Sequence, residues 1–525
     1  MSPKDKFDPI ELEVFKNIFV SISEEMGAVL GRTALSPNIK ERKDFSCALF
    51  TATGETFAQG SHIPVHLGAM PLSVQASLKA VSFNDGDLVI LNDPYKGGTH
   101  LPDITCISPV FVGKKLMFFV ANRAHHSDVG GMTPGSMPLA SEIYQEGLII
   151  PPVKIIGKEK MNEDLLQLIL ANVRTPEERK GDLLAQIAAN NTGKQRLKEI
   201  IKKYGHQKLR QYARLIQDYT ERILRQTISG IPNGTYTFED FMDNDGITET
   251  PVKIGVRITI QGNKAILDFS PSSAQVEGGV NANFAVTFSA VLYVFRCLVE
   301  EDIPFNTGLM RPIKIDAPPG SVVNALHPAA TAGGNVETSQ RIVDVILGAL
   351  AQAIPDRIPA ASSGTMNNVA FGGFDPARQS NFVYYETIGG GMGASLERNG
   401  LSGVHTHMTN SLNTPLEALE RYLPMRITKY ALRRGSGGKG LRKGGEGIIR
   451  EYKFFVPTQV SILSERRKFS PYGLKGGKEG KRGKNILVTN TGKKISLGPK
   501  VNLKVQPGDV LRIETPGGGG YGQKK

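Results

Sequence analysis

Histidine and aspartate crowd one stretch of this 525-residue chain, Asn92 to Gly131, which reads NDPYKGGTHLPDITCISPVFVGKKLMFFVANRAHHSDVGG. Two polar clusters, Asp93/His100/Asp103 and His125/His126/Asp128, flank an apolar run from Val110 to Ala121. That run reads as a buried strand with a Gly113-Lys114 turn near its start. Five of the nine histidines fall between His62 and His126. Imidazole and carboxylate together either ligate divalent cations or exchange protons near neutral pH.

His100 and Asp103 stand three apart and converge on one ion if the backbone turns, which Gly97-Gly98 and Pro102 favour. The intervening strand delivers His125, and Asp44, at the mouth of another expected strand, can close the site. Two imidazoles with two carboxylates suit zinc, manganese or iron(II) and leave room for water or substrate. The same residues can equally be hydrogen-bonding loop residues, because H-x-x-D is far less specific than paired C-x-x-C motifs. Cys106 continues the three-residue spacing and could replace a carboxylate, whereas Cys47 reads as a small core residue. His126 and Asp128 either fix ring orientation around such a site or face solvent. His62 and His66 are four apart, but Ile63 and Pro64 follow the first, so the pair is not a zinc-protease signature. They read as substrate-side polar groups or as buried structural histidines.

Other chemistry is poorly represented. No G-x-x-x-x-G-K-[ST] loop occurs, and the glycine runs at 389–393 and 517–520 lack the strand-to-helix setting of a dinucleotide fingerprint, so they read as flexible loops. Cys297 lies in an apolar helical run and reads as core, and no G-x-S-x-G elbow is present. A metal can lower the pKa of bound water toward neutrality, so no side-chain nucleophile is required.

The elements that must position these groups follow from periodicity. Asp8 as N-cap and Pro9 open a long amphipathic helix with Ile10, Val14, Ile18, Ile22, Met26 and Val29 inward, ending by Gly31. Phe45, Cys47 and Leu49 alternate before a Gly54 turn, a hairpin signal. A helix begins near Pro71 and a strand covers Leu88 to Leu91. Residues 160–228 become helical, punctuated by Pro176, Gly181, Gly193 and Gly205. Strands follow at 234–238, 252–260 and 265–269. Then come a buried helix (NANFAVTFSAVLYVFRCLV), a strand and turn (MRPIKIDAPPGSVVNA), and a glycine loop with an amphipathic helix (GGNVETSQRIVDVILGALAQAIP). Short strands at 460–463, 486–489 and 510–513 lie between Gly/Lys turns. The expected fold class is α+β, multi-domain, with mixed sheets, a central helical segment and a β-rich C-terminal region. Domains are expected at 1–157 (α+β, carrying the metal site), 158–230 (helical hairpin or bundle), 231–424 (mixed α/β) and 425–525 (basic, β-rich).

The chain carries a net charge of +13, of which residues 425–525 contribute +18 and the rest −5. Such asymmetry points to an anionic partner or to a solvated basic face. No basic motif interleaved with aromatics supports nucleic acid. Three cysteines cannot form a disulfide framework, the N-terminal MSPKDKFDPIELEV has no apolar signal core, and no apolar run reaches membrane-spanning length. The expected location is cytoplasmic, with no membrane partner.

The sequence resembles the hydantoinase B/oxoprolinase family through DPIELEVFKNIFVSISEEMG, SPNIKERKDFSCALF, GSHIPVHLGAMPLSV, GDLVILNDPYKGGTHLPDI, ANRAHHSDVGGMTPGSMP, IYQEGLIIPPVKI, FNTGLMRPIKIDAPPGSVVNA, ATAGGNVETSQRIVDVILGALA and ETPGGGGYG, which span essentially the whole chain. The resemblance implies a metal-containing subunit of an ATP-dependent cyclic amidohydrolase that opens a hydantoin, 5-oxoproline or lactam ring. It implies a divalent metal ligated by Asp44, His100, Asp103 and His125, and ATP handled by an actin-like partner of the hydantoinase A type. His62, His66 and His126 would orient substrate or shuttle protons, with Asp128 beside them, and Arg123 and the basic C-terminal region would receive a phosphorylated intermediate. Family members also include acetone- and acetophenone-type carboxylase subunits, in which the same site would bind an enolate and capture activated carbon dioxide. A non-catalytic anion-binding protein with a structural metal is the third expectation.

Overall fold

A computed structural model describes residues 8–60 and 62–523. The expectation that the extreme N-terminus lacks a signal core falls partly on residues 1–7, outside that range. Helix α1 (Pro9–Thr33) starts as expected, with the Asp8 carboxylate capping the N–H groups of Ile10 and Glu11. Its buried stripe differs: Leu12, Phe15, Phe19, Ile22, Met26 and Leu30 face inward, whereas Ile10 and Val14 are exposed. The aromatic residues decide the rotation, because they bury more area than the aliphatics they displace. Phe15 stacks on Tyr212 at 4.4 Å and Phe19 meets Phe57 edge-on at 4.9 Å.

A short helix α2 (Pro37–Lys40) leads into an antiparallel seven-stranded sheet made of β1 (Phe45–Thr51), β2 (Thr56–Gln59), β3 (Leu88–Leu91), β4 (Asp103–Val112), β5 (Lys115–His125), β6 (Val153–Gly157) and β7 (Lys160–Met161), in the order β2-β1-β5-β4-β3-β6-β7. Helix α3 (Ala69–Ala80) covers one face. The other carries α1 and the helical segment α4 (Glu163–Ala171), α5 (Pro176–Tyr204) and α6 (His206–Ser229). Cys47 and Leu49 point to α1 and its neighbours and Ala48 and Phe50 to α3. Burial on both faces explains why these strands read as nearly continuous apolar runs. Gly193 lies inside α5 rather than ending it. A Cβ there would stand 2.4 Å from Met26 Sδ, so the bare backbone lets α1 and α5 approach closely.

A second sheet, β8 (Gly234–Met242), β9 (Val252–Gln261), β10 (Lys264–Asp268) and β11 (Ile313–Asp316), packs against α8 (Ser339–Leu350), which in turn packs on α7 (Phe284–Cys297). Helix α8 is amphipathic as expected, yet buried on both faces: the apolar one packs among β8, β9 and α7, and the polar one buries Arg341 and Asp344 in pairs with Asp240 and Arg466. Cys297, expected in the core, is exposed at the end of α7.

The remaining elements are β12 (Asn368–Asp375), β13 (Ser380–Glu386), α9 (Leu416–Tyr422), β14 (Met425–Arg433), β15 (Gly447–Phe454), β16 (Thr458–Leu463), β17 (Lys484–Val488), β18 (Lys494–Leu497), β19 (Lys500–Val505) and β20 (Val510–Glu514). They form sheets ordered β13-β12-β16-β19 and β14-β15-β20-β17-β18, the first taking strands from both sides of residue 424. The glycine runs are not flexible loops. Gly389 to Gly391 and Gly517 to Gly520 are buried and packed backbone to backbone with residues 436–445 and 473–480, through hydrogen bonds such as Gly438 N–H to Gly518 O (2.8 Å) and Gly518 N–H to Gly445 O (2.9 Å). A Cβ on Gly518 would lie 2.1 Å from Met392 O. The architecture is a multi-domain α+β fold with mixed sheets. No helix among the described residues is long and apolar enough to cross a membrane.

Candidate metal centre

Strand register assembles the centre. Asp103 on β4 pairs directly with His125 on β5. On the other side of β5, Phe45 pairs with Ala124 and the His125 N–H donates to Asp44 O at 3.0 Å, so Asp44 continues that ladder. Asp44, His125 and Asp103 therefore form one row across three adjacent strands, with their side chains on a shared face. His100 comes back to this row through the Thr99–Asp103 turn, in which Asp103 N–H donates to His100 O at 3.1 Å. Potential ligand atoms of His100, Asp103 and His125 lie within 4.8 Å of one another, and all three residues are buried.

These atoms lack protein partners where a ligand would need them free. His100 Nδ1 and Nε2, His125 Nε2 and Asp103 Oδ1 are buried and make no hydrogen bond. Buried polar groups are normally paired, so this concentration of free donor atoms fits a cation-binding site. Two imidazoles with carboxylate oxygen suit zinc, manganese or iron(II). The other faces of these side chains are fixed: Asn38 Nδ2 lies 3.0 Å from His125 Nδ1, and the His125 ring stacks on Tyr385 at 4.5 Å. Such outer contacts set which ring nitrogen is available. Asp103 Oδ2 accepts from the Thr99 hydroxyl and stands 3.3 Å from Nε2 of both His66 and His100.

Electrostatics favour the ligating forms of Asp103 and His125. Burial alone would raise the Asp103 carboxyl, but His100 and His66 outweigh it and hold the group well below its ordinary value. Burial, then repulsion from His100, pushes His125 well below the usual imidazole range, which keeps it neutral. Asp44 is raised by burial, partly offset by Arg42, whose Nη2 is 3.8 Å away. Asp44, His66, Asp103 and His125 all line a cavity of ≈ 20 Å³, walled elsewhere by apolar groups such as Val65 and Met366.

The other expected residues divide. His66 joins the centre, with Nδ1 3.0 Å from Ser46 Oγ. His62 does not line the cavity; its ring leans on Phe45, Nδ1 accepts from Cys47 N–H at 3.2 Å, and Glu24 lies 3.6 Å from Nε2. His126 is displaced by strand alternation to the opposite face, where Nε2 meets Gln186 Oε1 of α5 at 2.9 Å. Asp128 accepts from Gly130, Gly135 and Arg174 N–H groups and pairs with the Arg174 guanidinium at 2.8 Å, which makes it an organiser of its own loop. Cys106 is on the wrong face as well, in the apolar cluster with Ile90 and Leu183. Arg123 is fully buried, donating to Thr105 Oγ1, Ser73 Oγ and Gly97 O, while its Nη1 has no partner among the described residues. Asp93 caps a short turn through Tyr95 N–H.

Sequence reasoning passes over Asn38, Arg42 and Tyr385. Arg42 is a buried tie between halves of the molecule, donating to Asn38 Oδ1, Tyr385 O, Thr387 Oγ1 and Ser411 Oγ. The polar run Asn38 to Asp44 in SPNIKERKDFS is the available signal, whereas nothing local points to Tyr385. His405 and His407 are partly buried and lie outside the cavity lining.

The family model of Hydantoinase B/oxoprolinase matches residues 8–524. The 5-oxoprolinase 1 of Arabidopsis thaliana is 44% identical over 546 residues, covering 98% of this chain and 42% of that protein, so the chain spans about two fifths of that relative's length. A protein of Pseudomonas sp. (strain NS671) named as a D-/L-hydantoinase subunit is 32% identical, with 98% of this chain and 90% of that protein covered. The crystal structure of an ATP-dependent caprolactamase from Pseudomonas jessenii superposes with a TM-score of 0.92 at 28% identity, covering 99% of this chain and 92% of that one. The chain belongs to the hydantoinase B/oxoprolinase family.

Proposed function

We propose that this chain is the metal-holding part of an ATP-dependent amidohydrolase that opens a cyclic amide such as a hydantoin, 5-oxoproline or a lactam. The observation that carries the reading is the buried row Asp44–His125–Asp103 with His100 beside it, its inward nitrogen and oxygen atoms unpaired. The names of the relatives, a 5-oxoprolinase, a hydantoinase subunit and a caprolactamase, supply the substrate class.

Asp44, His100, Asp103 and His125 would hold the ion. A divalent cation there supplies a low-pKa water and polarises a carbonyl oxygen. Asn38 and Tyr385 fix the His125 ring, and Thr99 and His66 fix Asp103. His66 lines the cavity with Nδ1 on Ser46 and Nε2 on Asp103, and so orients that carboxylate toward the reacting groups. The ring C–N bond breaks as water adds to the activated carbonyl carbon. Because the chain has no phosphate-binding loop, activation by ATP falls to an actin-like partner of the hydantoinase A type, a division supported by the naming of the Pseudomonas relative as one subunit of its enzyme. Three cysteines without a disulfide fit the reducing cytoplasm.

Reconstitution with such a partner tests this reading. Ring opening coupled to ATP hydrolysis is expected with hydantoin, 5-oxoproline or a lactam, and is expected to vanish in His100→Ala. Turnover only of a ketone with bicarbonate would replace the reading with carboxylation.

A further inference from the structure

The cavity beside the ligand row is lined in part by the turn that enters α8. Residues Gly334–Thr338 form a π-helical turn, a local widening that recurs at functional sites because it re-aims a side chain. The backbone is pinned: Gly334 N–H donates to Gly279 O at 3.0 Å, Asn335 N–H to Thr331 O at 3.1 Å, and Ser339 Oγ–H to Asn335 O at 2.6 Å. Gly334 must be glycine, since a Cβ there would lie 1.9 Å from Asn281 O. The turn brings Asn335, 3% exposed, and the apolar Val336 to the cavity, alongside Asp44, Asp103 and His125.

Asn335 Oδ1 is buried and has no hydrogen-bond partner among the described residues. Other buried asparagines of this region are fully used: Asn38 binds His125 and Arg42, and Asn368 binds Glu337 and Tyr385. An amide held rigidly by its backbone yet unpaired at its oxygen is built for a ligand that comes and goes. The cavity of ≈ 20 Å³ holds about one water, the smallest space that does so being on the order of 10–15 Å³.

We propose that Asn335 is a positioning residue for the reacting water: Oδ1 accepts a hydrogen bond from one water O–H and so turns the oxygen lone pair away from the amide, toward the space in front of the ligand row. The proposal rests on the hydrolytic reading above. It gives the turn Gly334–Thr338 a role distinct from ligand supply, since an amide is a poor competitor for the ion beside two carboxylates and two imidazoles.

Asn335→Leu and Asn335→Asp separate this role from a structural one. In Asn335→Leu, kcat for ring opening with the partner present is expected to fall about 100-fold with KM within about twofold, as when one well-aimed amide is removed from a site. The metal-free Asn335→Leu protein is expected to melt no lower than wild type, because an unpaired buried amide is being removed. In Mn2+-loaded protein, water-proton relaxation is expected to change between wild type and Asn335→Leu while Mn2+ affinity stays within about threefold. Asn335→Asp, which keeps an acceptor, is expected to recover part of kcat. Failure of the wild-type chain to take up Mn2+, Zn2+ and Fe2+ alike would sink the parent reading and this proposal with it. Mn2+ uptake with identical relaxation and kcat in both proteins would overturn the proposal alone. So would a lower melting temperature of metal-free Asn335→Leu, which would mark the amide as structural.

Discussion

Asp103→Asn is the most informative single change. Asp103 Oδ2 accepts from Thr99 and lies 3.3 Å from both His66 and His100 Nε2, while Oδ1 faces the cavity unpaired. Asparagine keeps the shape and one acceptor oxygen but removes the charge. The hydrogen bonds retained become neutral ones, roughly half as strong as charge-assisted ones, so the metal-free protein should lose about 1–2 kcal/mol. The effect on the ion is larger, because an anionic ligand is replaced by a neutral amide in a buried site. Affinity should fall at least about 100-fold, beyond the 10–100-fold typical of outer-contact changes. Isothermal titration with Zn2+ or Mn2+ reads the affinity, and urea denaturation reads the stability. The pH dependence follows with a definite sign. The folded carboxyl is held below its ordinary value of 3.8, so its ionised form adds stability that is present above that value and lost as pH falls through the folded pKa. Asp103→Asn should therefore flatten the acid limb of the stability profile. Affinity within about threefold of wild type would refute the assignment of Asp103 to the centre.

Asn38→Ala should weaken metal binding about 10–100-fold by freeing the His125 ring, measured by chelator competition, with secondary structure unchanged by circular dichroism. His126→Leu should lower stability through the lost Gln186 contact yet leave metal affinity within about twofold, whereas His66→Leu should depress kcat. Glu146 accepts from Thr331 and Ala332 N–H groups but is pushed up to about 7 by burial, so its folded pKa exceeds the unfolded one and stability declines as pH rises from 4.5 to about 7. Glu146→Gln should gain on wild type across that window by up to about 3 kcal/mol, read by denaturation at pH 5 and pH 8. Gly518→Ala should destabilise by about 3 kcal/mol or more, since its Cβ would meet Met392 O at 2.1 Å, and a scanning-calorimetry Tm equal to wild type would contradict the backbone packing.

The local pattern carries much of this molecule. The strand Leu88–Leu91, the Phe45 hairpin, the Asp8 cap and the helical segment after residue 160 are all readable from period and turn chemistry. The ligand candidates are readable too, since Gly97, Gly98 and Pro102 announce the turn that returns His100 to Asp103. What local pattern does not resolve is register. His125 and His126 are adjacent in sequence and point to opposite faces, and only the pairing of β5 with β1 and β4 decides which one meets Asp44 and Asp103. Tyr385 and Asn335 reach the centre from more than 200 residues away, on segments whose own periodicity says nothing of the N-terminal sheet. The glycine runs mislead because low side-chain content suggests freedom, whereas here it permits backbones to touch. The stripe of α1 misleads for a simpler reason: its aliphatic spacing is regular, but Phe15 and Phe19 set the rotation.

The central claim is that Asp44, His100, Asp103 and His125 hold one divalent ion. An anomalous-difference map from crystals of the chain grown with Mn2+ or Zn2+ tests it most directly. The account predicts a single strong peak at about 2.0–2.3 Å from nitrogen atoms of His100 and His125 and carboxylate oxygens of Asp103 and Asp44. Metal-replete crystals with no peak in that cavity, or with the ion held elsewhere, would contradict it.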